Sequence, residues 1–343
     1  MSHMRIVLTV ITTAIRVFFR RLFRGAKHPE WSLVFEITAE TSRTMFGHAP
    51  GQKGAPSGGN DPLRRLAAPI PLSVARRCQL ERRTLAGRPS EVHTPRTFRA
   101  GQDATLLYFH GGGYVTCSPR SHRALLSRLA IASRARVVAI DYSKAPEHPF
   151  PAAIDECVAS YRELLAEGCD PARMALGGDS AGGGLALAVL QRLRNESVAM
   201  PACTLLLSPW VDLESLGETI QHNGPYDYLQ AGALGGAVDL YLAGHDRRDP
   251  LASAIHADFR GLPPLLVMTG SAELFCSENM LLVERARAAG IEVEHLLESG
   301  MIHVYPLFAD IEPRARVAIY QAGQFIKQRC MASSVDGSKL ESA

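Results

Sequence analysis

One pentapeptide in this sequence has the residue types and spacing of a serine nucleophile held on a tight turn. Gly178-Asp179-Ser180-Ala181-Gly182 matches the pattern G-x-S-x-G. A serine hydroxyl is a weak nucleophile until it projects from a sharp turn beside a base, and the flanking glycines permit that turn because they carry no Cβ. A glycine-rich turn that binds phosphate is the alternative, but neither G-K-[ST] nor G-x-G-x-x-G spacing accompanies it. The pattern therefore favours Ser180 as a nucleophile.

A second glycine-rich segment is suited to binding negative charge on a reacting oxygen. His110-Gly111-Gly112-Gly113-Tyr114 follows the apolar run 104–109. Successive glycines let backbone N–H groups approach a ligand oxygen, and in acyl transfer each such donor contributes about 3 kcal/mol. We expect Gly111, Gly112 and Ala181 to form this oxyanion hole. A flexible glycine turn is the alternative, but two glycine loops that each follow a strand are hard to obtain by chance.

Acyl transfer also needs a general base and a carboxylate that orients it, and after a G-x-S-x-G serine these follow in the order acid, then histidine. Of the twelve histidines, His303 follows the last apolar run, where a loop would carry it over the nucleophile. Glu273 lies just past the run 265–269 and is our candidate for the acid. Glu278 and Asp249 are the alternatives.

The elements that must position these residues alternate between buried strands and helices. Short apolar runs predict strands at 104–109, 137–142, 174–176, 204–207, 265–269 and 293–297. Helices are predicted at 121–134, 151–167, 181–194 and 277–289. This alternation predicts an α/β fold with a mostly parallel central sheet flanked by helices.

Two segments interrupt the alternation and predict a helical cap over the carboxyl ends of the strands, where ligands of open α/β sheets bind. The connection 208–264 is far longer than usual, and residues 1–70 precede the core. The chain therefore divides into an N-terminal cap segment (1–70), a catalytic core in two parts (71–208 and 251–330), a cap insertion (209–250) and a disordered tail (331–343). Within the first segment, Gly and Pro at 47–62 predict a mobile loop.

The N-terminal segment predicts an amphipathic helix. Its apolar stripe contains Val7, Ile11, Ile15, Phe18 and Leu22, and the opposite side contains Arg16, Arg20 and Arg24. The apolar run 6–15 is shorter than the roughly 20 residues that span a bilayer, and its charges follow it, unlike those of a signal peptide. We favour a helix packed on its own domain with its arginines in water. Contact with a membrane surface or a lipid substrate is the alternative.

The composition excludes several other classes of protein. Hydrophobic residues make up 46% and charged residues 21% of the 343 positions, which is typical of globular proteins. A net charge of +3 gives little support to a nucleic-acid partner. The seven cysteines are scattered without a CxxC pair, which argues against a zinc site or a disulfide framework and favours the cytoplasm.

These motifs, in this order, resemble those of the bacterial hormone-sensitive-lipase-like esterases of the α/β-hydrolase superfamily. Residues 110–114 match the family's HGGG motif, 141–152 (DYSKAPEHPFPA) match D-Y-R-L-A-P-E-H-P-F-P-A, and 178–183 match G-D-S-A-G-G. Weaker matches are 208–210 (Ser-Pro-Trp) and 300–303. Ser143-Lys144 replaces the usual Arg-Leu, and Glu273 stands where many members carry Asp.

The resemblance spans about residues 75 to 325 and carries expectations about function. It implies an α/β-hydrolase fold with a helical cap, and carboxylester hydrolysis through Ser180, His303 and Glu273 without cofactor or metal. It also implies short to medium acyl chains as substrates and frequent homodimers.

The substrate stays open at this stage. Lactone or amide hydrolysis and deacetylation of bulky, sterol-like alcohol esters are alternatives, because selectivity depends on how the pocket side chains converge. The pocket candidates are Met45, Phe46, Tyr114, Trp210, Tyr228 and Phe275. A non-catalytic ligand receptor on the same fold is an alternative of a different class, but the presence of both Ser180 and His303 favours an enzyme.

Overall fold

An eight-stranded sheet organises the protein in a computed structural model that describes residues 3–46, 58 and 61–331. The strands are β1 (Cys78–Leu85), β2 (Arg88–Pro95), β3 (Thr105–Phe109), β4 (Arg136–Ile140), β5 (Met174–Asp179), β6 (Cys203–Leu207), β7 (Leu265–Gly270) and β8 (Val293–Glu298). Their order across the sheet is β1-β2-β4-β3-β5-β6-β7-β8. The pairs β1–β2 and β2–β4 are antiparallel, and all other neighbours are parallel. The predicted α/β fold and its six strands are confirmed.

Helices precede the sheet and alternate with its strands. They are α1 (His3–Arg24), α2 (Leu33–Phe46), α3 (Pro62–Arg65), α4 (Leu72–Ala75), α5 (Arg123–Ser133), α6 (Ala152–Ala166), α7 (Ala181–Asn195), α8 (Glu218–His222), α9 (Ala231–Leu242), α10 (Cys276–Ala288) and α11 (Pro313–Met331). The mobile loop predicted at 47–62 and the tail predicted at 331–343 lie mostly outside the described residues. Of those two segments, Pro62 begins α3 and Met331 ends α11.

Both faces of the sheet are covered by helices. Side chains of successive strand residues point to opposite faces. On β3, Leu107 and Phe109 pack in a cluster with α6, α7 and α10, whereas Leu106 and Tyr108 pack in a cluster with α2, α5 and α11. Burial on both faces explains why the inner parallel strands are largely apolar, whereas β8 at the edge of the sheet is partly exposed.

Helices from both predicted cap segments contact loops at the carboxyl end of the sheet. Tyr241 of α9 stacks on Tyr114 in the loop after β3, with ring centroids 3.8 Å apart. The indole N–H of Trp31, just before α2, donates to the carbonyl of Gly300 after β8 at 2.6 Å. Arg43 of α2 donates to the carbonyl of Gly224, in the insertion between β6 and β7, at 2.5 Å.

Helix α1 is oriented differently from our expectation. Its inward side carries Thr13 and Val17, which are 4% and 1% exposed, and packs on α2. Arg20 and Arg21 form ion pairs with Glu36 of α2. The fully buried Glu36 carboxylate needs these cations because an unpaired buried charge is costly. Of the three arginines expected to lie in water, Arg16 and Arg24 are exposed, and the expectation is wrong for Arg20. The apolar stripe predicted to pack on the domain is instead 50% to 62% exposed. No described helix is long and apolar enough to cross a bilayer.

Candidate active site

Ser180 occupies a strained turn between β5 and α7. Its φ of 53° and ψ of −124° are unusual for a residue with a side chain. The two motif glycines make the turn sterically feasible. A Cβ on Gly178 would lie 2.2 Å from the carbonyl oxygen of Gly182, and one on Gly182 would lie 2.0 Å from that of Phe109. Positions 178 and 182, two residues before and after the serine, therefore tolerate no side chain.

The glycine loop after β3 presents backbone donors near this turn. The N–H of Gly111 donates to Oδ1 of Asp179 at 3.0 Å, so it is not available to a substrate oxygen. Our prediction of Gly111 as an oxyanion donor is therefore wrong. No described residue accepts a hydrogen bond from the N–H of Gly112, Gly113 or Ala181. These three groups are the donors that the structure leaves free, and Ala181 is in the first turn of α7, where N–H groups lack intrahelical partners.

A buried ion pair holds the glycine loop against the nucleophile turn. Oδ2 of Asp179 lies 3.2 Å from Nε2 of His122, and Tyr108 donates its hydroxyl to Oδ1 at 2.8 Å. Burial acts to raise the pKa of Asp179. His122 and the hydrogen bonds from Tyr108 and the Gly111 N–H outweigh this effect, so the pKa of Asp179 is lowered. Burial likewise acts to lower the pKa of His122, but the Asp179 carboxylate raises it. Sequence analysis missed His122 because nothing in its neighbourhood marks it.

His303 lies in the loop after β8 with its ring enclosed by aromatic side chains. Phe275 packs edge-on against the ring at 5.0 Å between centroids, and Tyr228 lies at 5.9 Å. The backbone N–H of His303 donates to Oδ1 of Asp227 at 3.4 Å. Burial lowers the pKa of His303 to about 3, so the ring is neutral. Its Nδ1 atom is buried and makes no hydrogen bond with any described residue.

Glu273 lies at the end of β7 and is fully buried. Its Oε2 accepts hydrogen bonds from the hydroxyl of Ser208 at 2.6 Å and from the N–H of Gly270 at 3.0 Å. Its Oε1 accepts a hydrogen bond from Nδ2 of Asn279 at 3.0 Å. Burial raises its pKa to about 8, although these donors oppose the rise. In the described part of the chain, no hydrogen bond joins Glu273 to the ring of His303.

Ser208 connects the candidate triad, and it was not among our predicted site residues. Its hydroxyl donates to Glu273 and accepts the N–H of Val304, next to His303, at 2.9 Å. The preceding residue, Leu207, accepts the N–H of Ser180 at 2.9 Å. The backbone of the nucleophile, the carboxylate of the acid and the residue after the base are thus each hydrogen-bonded to Leu207 or Ser208. Its membership in the Ser-Pro-Trp match was the available signal.

Asp227 is a second carboxylate that sequence analysis missed. It is fully buried, and its Oδ2 accepts the N–H of Leu274, next to Glu273, at 2.8 Å. Because Oδ1 accepts from His303, this side chain links the cap insertion to both triad loops. Burial raises its pKa to about 7. No pattern in the insertion indicated it.

The alternative acids lie in other contacts. Oε1 of Glu278 accepts the N–H of Gly217 at 3.4 Å, and Oδ1 of Asp249 accepts that of Leu251 at 2.8 Å. Among the described residues, neither forms a hydrogen bond or ion pair with His303.

Four of the six pocket candidates are buried aromatic residues, and three of them form one row that ends at His303. Ring centroids are 6.1 Å apart between Tyr114 and Trp210, and 5.6 Å between Trp210 and Phe275, which contacts His303. Tyr228 contacts His303 from another side. Met45 is half-buried at the end of α2, and the side chain of Phe46 lies outside the described residues. The sequence did not indicate Tyr241, which stacks on Tyr114.

One group of described residues has the composition of a metal site. Asp212, Glu214 and His256 offer ligand atoms within 4.8 Å of one another. His256 Nε2 lies 3.6 Å from Glu214 Oε2.

Comparison with known proteins agrees with this geometry. The profile of the alpha/beta hydrolase fold family matches residues 106–307. An acetyl-hydrolase of Streptomyces hygroscopicus is 44% identical over 230 residues, which cover 66% of this chain and 77% of the relative. An esterase of Acinetobacter venetianus is 36% identical over 231 residues, covering 66% and 76%.

Solved structures extend the similarity to the whole fold. The crystal structure of an esterase from the bacterial hormone-sensitive lipase family superimposes with a TM-score of 0.74 at 36% identity, covering 94% of this chain and 98% of that one. The chain therefore belongs to the hormone-sensitive-lipase-like esterases of the alpha/beta hydrolase superfamily. It is a carboxylic ester hydrolase, which excludes the non-catalytic receptor.

Proposed function

We propose that this esterase hydrolyses short- to medium-chain acyl esters through Ser180, His303 and Glu273. The observation that carries the proposal is the strained turn at Ser180 next to a glycine loop, which together leave three backbone N–H groups, those of Gly112, Gly113 and Ala181, without an acceptor among the described residues. Such preorganised donors stabilise charge that appears only in the transition state. We assign the oxyanion hole to Gly112, Gly113 and Ala181.

In the first half-reaction, Oγ of Ser180 attacks the ester carbonyl carbon while Nε2 of His303 takes the hydroxyl proton. The carbonyl oxygen becomes an oxyanion bound by the three N–H groups. Collapse of this intermediate breaks the bond to the alcohol, which leaves with the proton from His303. Water then attacks the acyl-enzyme and gives a proton to the same nitrogen. Collapse of this second intermediate breaks the bond to Oγ of Ser180, which takes the proton back from His303 as the carboxylic acid is released.

The role of Glu273 follows from the chemistry of the His303 ring. When Nε2 gains a proton, the ring becomes a cation whose buried Nδ1–H needs an acceptor. We propose that Glu273 turns one oxygen to Nδ1 when substrate is bound, because catalytic hydrogen bonds often tighten only in the complex. Its shared contact with Ser208 keeps it beside the histidine loop.

The preference for short acyl groups is supported by the buried apolar side chains that lie beside the oxyanion glycines. A Cβ built on Gly113 would lie 3.5 Å from Ala237 Cβ and 3.9 Å from the ring of Trp210. Tyr114, Trp210 and Phe275 are also all buried. The 44% identical relative is named an acetyl-hydrolase, which favours the same end of the range.

A panel of p-nitrophenyl esters from acetate to palmitate tests this proposal. We expect Ser180→Ala to fold and to lose at least about 10⁴-fold in kcat. The matched control is Ser160→Ala, which removes a buried hydroxyl bonded to a helix carbonyl in α6 and should keep full activity. Wild-type turnover by Ser180→Ala would reject the mechanism, and undiminished activity on palmitate would reject the chain-length preference. A γ-lactone and an acetylated sterol in the panel test the alternative substrates.

A further inference from the structure

A broad apolar surface runs along the solvent side of α1. Eight large side chains on this surface, here called the outer face, are 50% to 83% exposed: Val7, Leu8, Ile11, Ile15, Phe18, Phe19, Leu22 and Phe23. At 100° per residue they share one side of the helix. Exposed apolar residues are common singly, but a contiguous strip of this size marks an interaction surface.

The orientation of α1 is fixed from its other side. Thr13 and Val17 are buried against α2, and Arg20 and Arg21 pair with the fully buried Glu36. Turning the outer face inward would withdraw two cations from a buried carboxylate, which is strongly unfavourable. These contacts therefore keep the outer face directed toward solvent.

The charge around the outer face indicates what it binds. The 22 residues of α1 contain five arginines and no acidic residue. Arg16, at the edge of the outer face, has 62% of its side chain exposed, and Arg24 is also exposed. An apolar face with a cationic rim is typical of helices that lie in the interface of an anionic bilayer. No described helix is suited to crossing the bilayer, so α1 would lie in its plane.

A second copy of the chain fits this surface less well. Each copy would bring its own cationic rim to the contact, with no acidic residue in α1 to oppose it. We propose that the outer face of α1 binds the surface of an anionic lipid bilayer.

Binding there would also orient the catalytic site. Helix α2, on which α1 packs, lies between the outer face and the triad loops. Trp31 bonds Gly300, three residues before His303, and Arg43 donates to the carbonyls of Gly224 and Asp227. The lipid surface and the histidine loop are therefore held at a fixed relative position, whatever ester is hydrolysed.

Vesicle flotation of the full chain tests the proposal. We compare vesicles of phosphatidylglycerol and phosphatidylcholine with vesicles of phosphatidylcholine alone, at low and high salt. Wild type should bind the anionic vesicles at least about tenfold more tightly, and salt should reduce this difference. The double variant Ile15→Glu/Leu22→Glu should lose at least about tenfold in binding.

The matched control is Leu72→Glu, which places the same charge on a leucine that is 77% exposed in α4. It should bind vesicles as wild type does, and all three proteins should hydrolyse soluble p-nitrophenyl acetate equally. Equal binding by wild type and the double variant, or none by wild type, would overturn the proposal. The proposal would also be overturned if wild type does not bind vesicles and analytical ultracentrifugation shows a lipid-free wild-type dimer that is absent in the double variant.

Discussion

Replacing Ser208 by alanine should move the pH dependence of catalysis rather than simply reduce activity. Burial lowers the pKa of His303 to about 3, so its ring is neutral throughout the working range. Glu273 must be ionised to stabilise the protonated ring, and burial raises its pKa to about 8. The acid limb of the pH–rate profile should therefore follow the ionisation of Glu273. Ser208 donates to the ionised carboxylate and lowers this pKa.

The size of the shift follows from the lost hydrogen bond. A hydrogen bond to a charged group contributes about 1.5–3 kcal/mol, and 1.36 kcal/mol corresponds to one pH unit. Ser208→Ala should thus move the acid limb about one to two pH units to the alkaline side. At pH 8 kcat/KM should fall about five- to fiftyfold, and about half to nine tenths of the wild-type value should return near pH 10.

The assay is pH-stat titration of ethyl butyrate hydrolysis from pH 6 to 10. Ser143→Ala is the matched control, because Ser143 also donates to a carboxylate, Glu156 Oε1 at 2.7 Å, away from the triad. It should leave the acid limb in place. Thermal melting checks that both variants are folded, since Ser208→Ala also leaves the buried N–H of Val304 unpaired. An equal loss at every pH, or the same shift in the control, would refute the reasoning.

Two other substitutions have expected outcomes. Asp227→Asn removes a negative charge beside Glu273 and should move the acid limb to lower pH, opposite to Ser208→Ala, in the same titration. His122→Ala leaves Asp179 buried without its cation and should cost about 3–5 kcal/mol in urea unfolding. That cost should shrink at high pH, above the raised pKa of His122, because the histidine is then neutral in wild type also. It should likewise shrink at low pH, below the lowered pKa of Asp179, because the carboxylate is then protonated. A cost below about 1 kcal/mol at intermediate pH would contradict the assigned pair.

The sequence predicted the parallel part of the sheet because buried strands produce continuous apolar runs bounded by motif glycines. It did not predict β1 and β2, since half of the residues of β1 are exposed and the strand carries no such run. The hydrogen bond from the N–H of Gly111 to Asp179 was also not predictable from the sequence, because it depends on where the Asp179 side chain packs. Asp227 reaches the triad through contacts distant in sequence. For α1, periodicity indicated an apolar face but not the direction in which that face points.

The burial of Glu36 beneath α1 has an evolutionary consequence. A descendant that lost this helix would lose Arg20 and Arg21. The carboxylate of Glu36, which these arginines neutralise, would then be left without its cations at the surface of α2. Loss of the helix and replacement of Glu36 by an uncharged residue are therefore expected to be coupled in descent. Within the family, the residue at this position should vary together with the length of the N-terminal extension, and a lineage that separates them should carry a compensating base elsewhere on α2.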